Sequence, residues 1–108
     1  MRPERIRADD AHAHLVRALA AEAAAAGCTL AVEQASSRPW ASATFTGEQQ
    51  RLALALVPPA AARRWLDAIG EAELSMRGHV AMPPAVDGIE DRDGSVIATL
   101  SVLTLHEA

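Results

Sequence analysis

The chain has 108 residues, 50% of them hydrophobic, and carries a formal charge of −4 from 14 acidic residues against ten arginines and no lysine. That length supports one domain with one core, and the apolar content excludes an intrinsically disordered chain. Cys28 is the single cysteine, which excludes an internal disulfide and a cysteine-based zinc site.

The acidic balance, the absence of Lys and Tyr and the single Phe count against a nucleic-acid binder, which needs a basic face and stacking platforms. The uncharged run 52–62 is broken by Pro58-Pro59 and is far shorter than the roughly 20 apolar residues of a spanning helix, so no membrane partner is expected. The N-terminal segment has Arg but no apolar stretch behind it, unlike a secretory signal. Alanine abundance with Arg as the only basic residue reads as a GC-rich bacterial coding bias. The expectation is a cytoplasmic bacterial protein.

In chain order, residues 1–8 read as a polar, flexible tail, and Asp9 or Asp10 as the cap of a helix over 10–26. His12, Leu15, Val16, Leu19, Ala23 and Ala26 form its inner stripe, and Gly27 is its stop. Three strands follow at 28–36, 40–46 and 51–57, with connectors at 37–39 and 47–50 of hairpin length. Pro58-Pro59 opens a second helix whose inner stripe is Ala62, Trp65, Leu66 and Ile69. Arg63 and Asp67 are spaced to pair on its outer side. Residues 74–82 alternate as a strand closed by Pro83-Pro84, 85–94 read as an acidic loop, and 95–106 as a long last strand. The prediction is one α+β domain over 1–108. It is a two-layer α/β sandwich of order α-β-β-β-α-β-β, with a mostly antiparallel sheet and both helices on one face.

Sorting the strands by their period of two puts Leu30, Val32, Ala43, Phe45, Leu52, Leu54, Leu56, Met76 and Val80 toward the helices. The other face receives Thr29, Ala31, Glu33, Trp40, Ser42, Thr44, Ala53, Ala55, Ser75, Arg77, His79, Thr99 and Ser101. That second face is small and weakly polar, and suits solvent, a two-fold partner or a shallow ligand site. On it Glu33, Trp40, Arg77 and His79 bring a carboxylate, an indole, a guanidinium and an imidazole, a set able to hold an acidic or aromatic small molecule.

The remaining chemistry-bearing residues read as structural. His12 and His14 are two apart, so a helix points them to opposite sides, whereas a helical metal pair needs a spacing of three or four. The segment 87–94 places no calcium-binding register correctly, and Asp93-Gly94 is simpler as a turn. Cys28 behaves as a small buried hydrophobe, and His106 as an exposed terminal residue. No phosphate loop or nucleophile elbow is present. No metal or other cofactor is expected. The leading expectation is a non-enzymatic protein-interaction module that forms a homodimer, with a protein partner or a small ligand. The alternative is a small-molecule-binding domain or enzyme using the Glu33, Trp40, Arg77 and His79 face. A metal-dependent hydrolase built on His12 or His14 comes third.

Overall fold

The computed structural model describes residues 3–106, with side chains from Ala11 onward. It is an α+β fold of two helices and one antiparallel sheet. The elements are α1 (Pro3–Ala25), β1 (Thr29–Ala41), β2 (Thr46–Val57), α2 (Pro59–Ala68), a 3-10 turn (Ile69–Glu71), β3 (His79–Ala81), β4 (Ala85–Arg92) and β5 (Ser95–His106). The sheet order is β1-β2-β5, and the far side of β5 is shared by β3 at one end and β4 at the other. No helix among the described residues is long and apolar enough to cross a membrane.

Helix α1 starts at Pro3 and so takes in most of the segment expected as a tail. Asp9 and Asp10 therefore lie within the helix rather than before it, and their side chains, like residues 1–2, are outside the described set. Ala11, Leu15, Leu19 and Ala23 repeat every four residues and are fully buried. The helix ends in a Schellman motif: the amide of Cys28 donates to the carbonyl of Ala23 at 2.9 Å, and that of Gly27 to Ala24 at 3.0 Å. Ala23 and Cys28 both join the core, which seals that end.

The three strands expected before α2 are two long ones. The predicted turn at Ser37-Arg38-Pro39 is part of β1, because an edge strand tolerates a proline that cannot donate on its open side. The chain reverses instead at Ser42–Phe45. There the Ser42 amide donates to the Phe45 carbonyl, and the Ser42 hydroxyl accepts from the amides of Thr44 at 3.3 Å and Phe45 at 3.1 Å. The second predicted turn, 47–50, runs inside β2.

Past α2, the order is again different from that expected. The strand expected at 74–82 is reduced to His79–Ala81, and the acidic loop at 85–94 is mostly β4. Asp93 and Gly94 form the two-residue turn between β4 and β5, both at positive φ. The observed order is α-β-β-α-β-β-β. Arg63 pairs with Asp91 of β4 at 2.7 Å, not with Asp67.

Leu52, Leu54 and Leu56 of β2 and Val96, Ala98, Leu100 and Val102 of β5 form one buried cluster. Leu15, Leu19 and Ala23 of α1 belong to the same cluster, as do Ala61, Ala62, Trp65, Leu66 and Ile69 from α2 and the 3-10 turn. Each leucine of β2 faces a neighbour of the same parity on β5, Leu52 with Leu100 and Leu54 with Ala98.

At Gly47 the strands come unusually close. A Cβ added there would run into the carbonyl of Thr104 and lie 2.9 Å from the Cα of Leu105. Backbone cannot step aside as a flexible side chain can. Gly47→Ala is expected to cost roughly 1–3 kcal/mol in urea denaturation, the usual range for overpacking. Gly88→Ala is the control, since a Cβ there meets nothing within 4 Å.

Candidate functional site

The four residues grouped from the sequence do not converge. Glu33 is the extra residue of a bulge in β1, where the pairing register shifts between Val32 and Gln34. Its carboxylate is held by Arg92 of β4 through both oxygens, at 3.0 and 3.1 Å. Trp40 lies at the far end of β1, paired with Gly47. Arg77 is exposed and precedes β3. His79 is on the other side of the sheet, paired with His106 and only 7% exposed.

The reason for that reversal is Gly78. Leu74 and Met76 pack partly against the core, as their alternation predicts. Gly78 then takes φ +77, a left-handed conformation that shifts the phase by one residue. As a result His79 turns inward and Val80, assigned to the helix side, is 46% exposed.

His79 meets two other histidines at the end of the sheet. Its ring centre is 5.3 Å from that of His106 and 6.0 Å from that of His14, both edge-on at 77°. His14 comes from α1, His79 from β3 and His106 from the last position of β5. His106 is therefore not the exposed terminal residue expected. Its Nε2 lies 2.9 Å from Oε1 of Glu48, and the two side chains are 18% and 14% exposed. Beneath them Gln50 donates to the hydroxyl of Thr104, which donates to the backbone carbonyl of Glu48.

The hydrogen bonds define the tautomers. Nδ1 of His79 lies 3.1 Å, and Nδ1 of His14 3.0 Å, from the same Arg77 carbonyl oxygen. A carbonyl only accepts, so each Nδ1 carries the proton and each neutral ring leaves its lone pair on Nε2. Nε2 of His79 is buried and has no hydrogen-bond partner among the described residues. Residue spacing could not reveal this cluster, because its three rings come from positions 14, 79 and 106 and meet only through sheet pairing and the docking of α1.

The sheet face turned away from the core is a second candidate. By register it carries Ser36, Arg38 and Trp40 of β1 and Gln49, Arg51, Ala53 and Ala55 of β2. From β5 it takes Ile97, Thr99, Ser101, Leu103 and Leu105, and from β4 Glu90 and Arg92. Arg92 also lies 3.9 Å from Glu90, and by bonding Glu33 it reaches past β5 and β2 to β1. That span rests on the coiling of a twisted sheet. Ile97 is only 6% exposed, whereas Ala53, Ala55, Thr99 and Ser101 on the same face are partly exposed. In mid-face a shallow hollow of about 440 Å³ is lined by Gln34, Ser36, Arg51, Ala53 and Thr99, among others.

Compared with protein-family models, curated proteins and solved structures, the chain shows no significant match.

Cys28 is 2% exposed in the core, and burial pushes its thiol pKa above the ordinary value. The raised value keeps the thiol protonated through neutral pH, and the thiolate is the reactive form. Native protein at pH 7.5 is expected to react with iodoacetamide at least about tenfold more slowly than urea-unfolded protein, read by intact mass. Thiolate formation above the ordinary thiol range works against the folded state, so any extra reactivity on raising the pH should track unfolding.

Proposed function

We propose that the protein is a non-enzymatic interaction module that acts as a homodimer through the sheet face opposite its core. The observation that carries this reading is the distribution of charge on that face. Its middle is neutral and small, formed by Ala53, Ala55, Thr99 and Ser101. Arg38 and Arg51 flank it on the β1–β2 side, and neither has an acidic partner among the described residues. Asp87, which accepts from the Ser101 hydroxyl, and Glu90 flank it on the β4 side. A two-fold axis running along the strands through the middle sets each arginine side against the partner's acidic side, as a self-complementary interface requires.

The edges of the sheet favour the same choice. β1 carries a bulge, Pro39 and two charges, and β4 carries Asp87, Glu90, Asp91 and Arg92. These are the devices by which edge strands resist pairing with another chain. Three strands of 12 or 13 residues, with β3 and β4 sharing a fourth row, present up to roughly 750 Å² from their spacing and rise, close to the ~800 Å² each partner gives a standard interface. The composition, rich in alanine and lacking lysine, supports a bacterial origin, and the chain is read as cytoplasmic.

Sedimentation equilibrium of the wild type at micromolar concentration should return twice the monomer mass. Ala53→Glu should give a folded monomer. Arg51→Glu should weaken the dimer by about tenfold or more, the scale of a rim-to-core charge clash, and Asp87→Arg added to it should restore much of the loss. A monomeric wild type, or a dimer indifferent to Ala53→Glu, overturns the proposal.

A further inference from the structure

We propose that the hollow between α1 and the segment leading into β3 binds the phosphate group of a small organic phosphate monoester. The site goes beyond the dimer reading, because it shares no residue with the open sheet face. From α1 it takes His14, Arg17, Ala18 and Ala21, spaced i, i+3, i+4 and i+7, so that they form one stripe of the helix. Facing them are Ser75, Met76 and Arg77. The volume is about 420 Å³, within the range of small-molecule sites.

Charge selects the ligand. The chain as a whole carries −4, yet among the described residues no Asp or Glu lines this hollow and two arginines do. Arg17 and Arg77 are both exposed, and neither has an acidic partner among the described residues. A concave surface of one sign concentrates its field and draws in the opposite charge. Two guanidinium forks match the three oxygens of a phosphate monoester, which carries close to two negative charges at neutral pH. A carboxylate or a sulfate ester brings one charge and satisfies one of the two. The Ser75 hydroxyl adds a neutral donor. Ala18, Ala21 and the part-buried Met76 offer an apolar surface to a carbon skeleton, which favours an organic ester over free phosphate.

The two walls are fastened to each other before any ligand arrives. The Arg77 carbonyl accepts from Nδ1 of His14 at 3.0 Å and from Nδ1 of His79 at 3.1 Å. His14 lies one helical turn before Arg17, so the first of these bonds sets the Arg17 wall against the backbone of Arg77. Met76 anchors the other wall by packing on the core, with Ser75 and Arg77 exposed on either side of it. A site held in this way avoids part of the ordering cost of binding. Nε2 of His14, on the far side of its ring from that carbonyl, can take up a proton and become a further donor.

The test is an amide-resolved NMR titration of the isotope-labelled full-length chain with phenyl phosphate at neutral pH, and with phenyl sulfate as a singly charged probe of the same shape. Saturable shifts are expected at Arg17, Ala18, Ser75 and Arg77, with a dissociation constant in the millimolar range or tighter. Arg17→Gln and Arg77→Gln should each weaken phenyl phosphate at least about threefold, the scale of one exposed charge pair. Arg64→Gln, the same loss of charge at an exposed position of α2, should bind as the wild type does. Phenyl sulfate should bind the wild type at least about threefold more weakly. The amide spectrum itself shows whether each variant is folded. Absence of saturable shifts, or shifts centred on Arg38 and Arg51 of the open face, overturns the proposal. So does equal binding of the two probes, or an Arg64→Gln variant as impaired as Arg17→Gln.

Discussion

β2 and β5 are paired from Gly47–Leu105 through to Leu56–Val96, and nearly every other contact depends on that register. Because side chains alternate, the pairing places Leu52, Leu54 and Leu56 on the same face as Val96, Ala98, Leu100 and Val102. A slip of one residue would send these apolar side chains to the open face and bring arginine, alanine and threonine into the core. The close approach of Gly47 to Thr104 pins the register at one end, and the tight turn at Asp93-Gly94 pins the start of β5. β5 is the hub, since it pairs with β2 on one side and with β3 and β4 on the other.

The same register assembles the end of the sheet. Glu48 stands opposite Thr104, and His106, two residues further along β5, reaches the Glu48 carboxylate. β3 is only three residues long, yet its pairing with β5 sets His79 beside His106. One backbone carbonyl, that of Arg77, orients both His79 and His14 and so links α1 to β3. Core packing and the polar cluster are thus consequences of one alignment, expressed on successive residues of the same two strands.

The two faces of the sheet answer to different constraints. One carries the leucines and valines of the buried cluster, to which both helices contribute side chains. The other is kept small along its centre and charged at its borders, where Arg92 is bridged to Glu33. An exposed ion pair of this kind adds little stability by itself.

The sequence by itself determined the elements whose signals are local. The α1 stripe of Leu15, Leu19 and Ala23, the stop at Gly27, the α2 stripe of Trp65, Leu66 and Ile69, and β5 over 95–106 were all legible, because 3.6- and 2-residue periods and a capping glycine act within a few residues. So was the α+β class. Three features waited for tertiary structure. Pro39 read as a turn until β1 proved to be an edge strand, where a proline leaves the ladder intact. Residues 85–92 read as a loop, since charge alone does not reveal that β5 has an unpaired edge for them to cover. The histidine cluster was hidden twice: Gly78 reversed the phase of His79, and the other two rings lie 65 residues earlier and 27 later in the chain. Local periodicity records which face a residue prefers, but only strand pairing and helix docking decide which distant residues share it.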